Sequence, residues 1–306
     1  MSNLAITAIM KDEIESIVEW VAFHKVVGAS HICIYDNEST DGSSDLLKSM
    51  AEADIIEYVP WSPVTGSPQL TAYNHFIDNN RHNFEWVAFI DADEFLTPLQ
   101  HDKITDVLTL LTHDYKDVCG VGVHWKTFGS SGLTTKEPGL VIERFTRCAR
   151  PNAIPNNCIK TIAKPALVSD AHIHSCNFSS GNYIDERGRT LELRQRGMDD
   201  RITHQLIQVN HYMVKSREEY EKKKLRGNGN RNIHEKDKYA RFSDEYWSRY
   251  DLNDEEDLSA KKFLPLVKSA IQTILESVGA AQARHPAPDA LVRPGPHVTE
   301  SPQGIP

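Results

Sequence analysis

Three carboxylates, Asp91, Asp93 and Glu94, fall within four residues directly after the apolar run Trp86, Val87, Ala88, Phe89 and Ile90. Such a cluster at the rim of a low-dielectric strand repels itself and is costly to hold unless something cationic sits beside it. Hard divalent cations, Mn2+ or Mg2+, take carboxylate oxygens together with substrate phosphate and keep some of their waters. In an extended turn residues i and i+2 point to one side, so Asp91 and Asp93 are expected to address one ligand. The competing reading is a solvated turn that caps the following helix. A second polar cluster runs from Asp36 and Asn37 through Ser39, Thr40, Asp41 and Ser43, after the apolar stretch His31 to Tyr35. Asp36 is suited to accept from a base N–H or a ribose hydroxyl, whereas Asp41 and Ser43 read as turn and cap residues. A third, Lys11, Asp12 and Glu13, follows the run from Leu4 to Ile9, where acidic side chains also suit a helix N-terminus.

The elements that must position these clusters alternate. The run from Leu4 to Ile9 suits a buried strand, and Ile14, Ile17, Val18, Val21 and Ala22 then recur at helical spacing, with Gly28 as a stop. Strands follow at His31 to Tyr35, Ile55 to Val59 and Trp86 to Ile90, separated by helices carrying Leu46, Leu47 and Met50, then Leu70, Tyr73, Phe76 and Ile77. This pattern predicts an α/β fold with a mostly parallel sheet flanked by helices. Right-handed crossovers would put every strand C-terminus, and so all three polar turns, along one edge. That coincidence is more informative than any single cluster. From Val118 to His211 the chain is β-rich, with strands expected at Val118 to Val123, Leu140 to Phe145 and Ile159 to Ala163. Asp185 to Gly188 reads as a hairpin tip, and His172 and His174 alternate as on a strand. Beyond Ser216 the chain turns helical, ending on Phe263, Leu264, Val267, Ile271, Ile274 and Leu275. Residues 284–306 hold six of the fifteen prolines and are expected to form a disordered tail.

The 306 residues carry 43 acidic and 34 basic side chains, a formal net charge of −9, which speaks against a general nucleic-acid binder. Phosphate, if handled, is expected to be handled locally, with a cation. No apolar stretch reaches membrane-spanning length and the first residues lack the pattern of a signal peptide. The five scattered cysteines form no CxxC pair, consistent with thiols in a reducing cytoplasm. Lys222, Lys223 and Lys224 read as a solvated helix face, with a diphosphate or an anionic membrane as alternative partners.

Taken in order, Lys11-Asp12-Glu13, the motif 35–43 and Phe89-Ile90-Asp91-Ala92-Asp93-Glu94-Phe95 resemble a GT-A glycosyltransferase of the family 2 type, closest to the branch related to family 92 with its DxDEF form. The segments 125–132, 160–165 and 210–220 extend the resemblance, which covers roughly residues 4–227. It implies a Rossmann-like GT-A domain over residues 1–280, with a nucleotide-binding half (1–115), a β-rich acceptor-side half (116–227) and C-terminal helices (228–280). It further implies a nucleotide-sugar donor, a UDP-sugar first, a saccharide or glycolipid acceptor, and a divalent cation, Mn2+ or Mg2+. By that resemblance Asp93 ligates the cation, Asp91 contacts ribose or the metal shell, Asp36 with Asn37 reads the base, Lys11 and Glu13 line the nucleotide pocket, and His211 is a second metal ligand.

Breaking a glycosyl–phosphate bond requires charge neutralisation on the leaving diphosphate and a general base for the acceptor hydroxyl. The resemblance implies inversion by direct displacement. Candidate bases are Glu137, Glu143 and His174, with Asp170 further behind; Asp185 and Glu186 are set aside as hairpin residues. Trp125 is either an acceptor platform or a core residue. The implied setting is cytoplasmic polysaccharide or glycoconjugate assembly, at the inner face of a membrane if the basic triplet engages lipid. Two rivals are a catalytically silent nucleotide- or glycan-binding module on the same fold and a DxD phosphohydrolase, which wants its aspartate on the first strand.

Overall fold

Alternating hydrophobic periods in the N-terminal half produce strands β1 (Leu4–Met10), β2 (His31–Asp36), β3 (Glu57–Pro60) and β4 (Trp86–Phe89), joined by helices α1 (Ile17–Val26), α2 (Ser43–Glu52) and α3 (Pro68–Asn80). The structure is a computed structural model and describes residues 3–63, 65–194, 197–226 and 243–284. Further along lie β5 (Glu94–Pro98), α4 (Ile104–Asp114), β6 (Val118–Thr127), α5 (Val141–Arg144), β7 (Arg147–Cys148), β8 (Ile159–Ala163), β9 (Val168–Ala171), β10 (Cys176–Phe178), β11 (Asn182–Asp185) and β12 (Ile207–His211). The chain then forms α6 (Arg217–Arg226), α7 (Asp244–Tyr250), β13 (Glu255–Glu256) and α8 (Leu264–Arg284). The proline-rich tail expected beyond α8 lies outside the described residues, as does part of the C-terminal helical region.

The main sheet has the order β3-β2-β1-β4-β8-β6-β12-β5, with β11 also on β6. The first four strands are parallel, and every residue of β1 is buried because helices cover both faces. Leu4, Ile6, Ala8 and Met10 face one core with α1 and α8, while Ala5 and Ile9 face a second with Tyr73, Phe76 and Ile77 of α3. Antiparallel β8 and β6 then continue the sheet, followed by β12, parallel to β6, and antiparallel β5. The α/β architecture expected from the sequence, parallel in one half and β-rich in the other, is the one observed.

The sheet must curl. Four interstrand gaps separate β4 from β5, about 19 Å in a flat sheet, yet only Ile90 to Asp93 connect them, a reach of at most about 18 Å. That connection also turns on itself, since the Glu94 N–H donates to the Asp91 carbonyl at 3.1 Å.

Three local expectations are corrected. The first helix begins at Ile17, and Ile14 is exposed, because the Glu13 and Ile14 N–H groups are taken by Ser43 Oγ and Asp41 Oδ2, each at 3.0 Å. The run 140–145 is no strand. Buried Glu19 accepts from the N–H groups of Val141 at 2.8 Å and Ile142 at 3.1 Å, which fixes the single helical turn α5. His172 and His174 sit in the connection between β9 and β10, not on a strand. Among the described residues no helix is long and apolar enough to cross a membrane.

His24 of α1 is fully buried, donates from Nδ1 to the Trp20 carbonyl at 2.9 Å and accepts from the Leu96 N–H at Nε2. Burial pushes its pKa down to about 3. The ring is neutral in the fold but takes a proton below pH ~6.5 once unfolded, so its contribution to stability is lost as pH falls from there. Replacing it removes that loss. The destabilisation caused by His24→Asn is therefore expected to shrink by about 2 kcal/mol between pH 7 and pH 5, as measured by urea unfolding. A difference that stays constant with pH contradicts a neutral buried His24.

Candidate active site

Parallel pairing of β1 with β2 sets Met10 beside Asp36, so the turns that follow lie abreast. They are laced together by side chains. Asp12 and Glu38 adopt left-handed backbone conformations, with φ of 51° and 56°. The Asp12 N–H donates to Ser39 Oγ at 3.0 Å, and Asp12 Oδ1 accepts from the Thr40 N–H at 2.6 Å. Lys11 Nζ reaches across to the Asn37 carbonyl at 2.9 Å. Asp36 is buried and accepts from the Ser39 N–H at 3.1 Å, Ser44 Oγ at 2.5 Å and Tyr58 OH at 3.1 Å. Three donors on one carboxylate make Asp36 an organiser of its own turn, with limited remaining capacity to accept from a ligand.

The third turn is built around a buried lysine. Lys160 of β8 has no exposed side-chain surface; its Nζ lies 2.8 Å from Asp91 Oδ1 and 3.3 Å from Glu94 Oε2. Gln69 and Tyr73, one helical turn apart on α3, donate to the same Asp91 oxygen at 2.6 and 3.2 Å. Burial opposes ionisation of Asp91, but the Lys160 ammonium outweighs it and holds the carboxyl below its ordinary range. Glu94 goes the other way. Burial, reinforced by the neighbouring Asp91 charge, pushes it up to about 8. The acidic cluster thus relieves its own repulsion with one lysine and one largely protonated glutamate.

Asp93 points elsewhere. The sheet places His211 opposite Glu94 through the β12–β5 register, and His211 Nε2 lies 3.5 Å from Asp93 Oδ1. Lys223 Nζ, from α6, pairs with Asp93 Oδ2 and donates to the Met213 carbonyl at 3.0 Å. Burial alone would raise the Asp93 pKa, yet Lys223 and His211 bring it well below the usual carboxylate range. Asp91 and Asp93 are therefore divided between two sets of side-chain partners. The turn is closed by its 91–94 hydrogen bond instead of being extended, so the i, i+2 rule does not apply.

A cavity of about 300 Å³ opens beside Asp93, walled by Asp12, Glu13, Asp41, Lys215, Lys222 and Lys223 among others. It brings together parts of all three polar turns. Among the described residues no group of three or more His, Cys, Asp or Glu side chains is arranged to hold a metal. The Asp93–His211 pair is nevertheless a carboxylate and an imidazole with polar atoms in reach of one another, a donor set that suits a cation completing its shell with phosphate and water. Asp91 Oδ1 is held by Lys160, Gln69 and Tyr73, and the Asp91 side chain keeps 29% of its surface exposed.

The candidate bases are not gathered at this cavity. Glu137 is exposed beside Thr135, Glu143 pairs with Lys268 at 3.1 Å, and His174 packs against Trp125 with ring centroids 5.4 Å apart. None of the three lines the cavity. Asp185 and Glu186 occupy the expected turn but are buried. Asp185 pairs with Arg189, and Glu186 accepts from the N–H groups of Gln205, Leu206 and Ile207. Trp125 is a core residue, 4% exposed, packed edge-on against His211 with ring centroids 4.1 Å apart. The roles of Lys160, Gln69, Tyr73 and Lys223 were not legible from the sequence. The i, i+4 spacing of Gln69 and Tyr73 carried a trace of them, as did the i, i+3 spacing of Lys223 from buried Tyr220.

The model of glycosyltransferase family 92 matches residues 7–246. A family 92 protein of Oryza sativa subsp. japonica is 26% identical over 175 residues, 56% of this chain and 29% of the rice protein. One from Ricinus communis is 29% identical over 176 residues, 56% of this chain and 30% of its own length. The chain thus matches less than a third of the length of these relatives. Among solved structures, S. aureus TarS in complex with UDP aligns at 13% identity and a TM-score of 0.36, over 54% of this chain and 47% of that one. Glucosyl-3-phosphoglycerate synthase from Mycobacterium tuberculosis, in complex with Mn2+, UDP and glucosyl-3-phosphoglycerate, aligns at 14% identity and a TM-score of 0.29, over 40% of this chain and 44% of that one. With the family model spanning most of the residues that build the polar edge, the chain belongs to glycosyltransferase family 92.

Proposed function

We propose that this protein transfers a sugar from a nucleotide-sugar, a UDP-sugar first, to a hydroxyl of a saccharide or glycolipid acceptor, with inversion and with Mn2+ or Mg2+ held at Asp93 and His211. The observation that carries the reading is the meeting of His211 and Lys223 on Asp93, which together with Lys223, Glu13 and Asp41 walls the cavity, within a family 92 chain. A bound divalent cation supplies charge neutralisation on the departing diphosphate. The chain's own part is to hold Asp93 ionised, to keep Asp91 fixed on Lys160, and to line the donor cavity with lysines. The proposed setting is cytoplasmic polysaccharide or glycoconjugate assembly.

The test is nucleotide release from a panel of UDP- and GDP-sugars with Mn2+. At least one UDP-sugar is expected to release UDP, and EDTA to abolish the release. UDP binding without turnover of any donor identifies a silent binding module instead, and phosphate release from phosphomonoesters a hydrolase.

A further inference from the structure

We propose that Lys223 is an exchangeable counter-ion: it neutralises Asp93 while the divalent cation is absent and passes to the donor's diphosphate when the cation arrives. The inference rests on the metal reading of Asp93 given above.

The two lysines that meet the acidic turn differ in kind. Lys160 is wholly buried and clamped between two carboxylates and the Ile173 carbonyl, so it has nowhere to go. Lys223 keeps 20% of its side-chain surface, comes from a helix on the cavity wall, and meets a carboxylate that is itself 15% exposed. Its flexible stem and compact ammonium suit movement over a short range. Its neighbours on α6 are engaged along the helix surface, Lys222 with Glu218 and Lys224 with Glu221, while Lys223 turns inward.

Asp93 offers one oxygen to His211 and the other to Lys223. A divalent cation on this carboxylate would stand directly against the ammonium, a like-charge contact that a low-dielectric wall makes costly. The cation therefore displaces Lys223. Held by α6 at the same cavity, the freed ammonium finds its nearest new acceptor in the diphosphate brought by the donor. Exchange of this kind keeps a half-buried carboxylate compensated before loading and adds a phosphate contact after it.

The experiment titrates Mn2+ alone by electron paramagnetic resonance, then UDP at saturating Mn2+ by calorimetry, in the wild type, Lys223→Met, Lys223→Gln, Lys223→Arg and Asp93→Asn. Removing the ammonium is expected to tighten Mn2+ binding about tenfold and weaken UDP binding about tenfold, the size of one charge-assisted hydrogen bond in each direction. Lys223→Arg should stay close to the wild type in both. Lys223→Gln carries the same expectation as Lys223→Met, should the latter fail to fold. Unchanged or weaker Mn2+ binding in the Met and Gln variants, or unchanged UDP binding, overturns the exchange. If Asp93→Asn still abolishes Mn2+ binding in that case, the metal reading stands without it. If Mn2+ binding is absent from every protein, or insensitive to Asp93→Asn, the metal reading fails and the exchange with it.

Discussion

Asp93→Asn is expected to lower metal-dependent nucleotide release by about 100- to 1,000-fold, the usual penalty for losing one preorganised electrostatic group at a developing charge. The substitution is nearly isosteric. The backbone contact of the turn, Tyr212 N–H to the Asp93 carbonyl at 2.9 Å, does not involve the side chain and survives. What disappears is the negative charge that faces Lys223 and His211. Lys223 and His211 keep the wild-type carboxylate ionised against burial before a cation arrives, so the negative charge that a cation would meet is already in place at neutral pH. The measurement is steady-state UDP release with saturating Mn2+, accompanied by a thermal melt. A folded variant that retains more than about one fifth of wild-type release would remove Asp93 from the chemistry.

Lys160→Met carries the largest expected effect on stability. Lys160 sits between Asp91 and Glu94 with no exposed surface, and Asp91 is ionised because Lys160 is there. Taking away the ammonium leaves Asp91, whose side chain is 29% exposed, facing the fully buried Glu94, so the cost is expected at the low end of the about 3–5 kcal/mol typical of breaking a buried pair. That is a large share of the roughly 5–15 kcal/mol by which a domain is stable. Glu94, already pushed up to about 8, can stay protonated and absorb part of the repulsion. A Glu94 that is already neutral predicts a small coupling between Glu94→Gln and Lys160→Met at pH 7, below about 1 kcal/mol in a double-mutant cycle in urea. A single-mutant loss below about 1 kcal/mol would mean that the ion cluster does not organise this turn.

How much of this was legible beforehand differs from residue to residue. The strand-end position of Asp36 and of Asp91 to Glu94 followed from apolar runs that stop abruptly, a local signal. The fate of those side chains did not follow. Nothing local to Asp36 announces that its carboxylate gathers Ser39, Ser44 and Tyr58 around it. Asp91 and Asp93 were expected on one side, but a closed turn sends them to different partners. The basic triplet was read as a solvated face. That holds for Lys222 and Lys224, whereas helical rotation carries Lys223 inward to a partner 130 residues away.

The alternation of strand and helix, the three polar turns on one edge and the ordered motifs of family 92 are all written in local stretches of the chain. Each depends on hydrophobic period, turn chemistry or spacing within a few residues. Which charges meet is settled by strand pairing across the whole domain. Lys160 reaches Asp91 because antiparallel β8 lies against β4, and His211 reaches Asp93 because β12 pairs with β5 after the sheet has curled. Those registers are set by burial of whole strand faces against helices across the domain, so no local stretch of sequence encodes them.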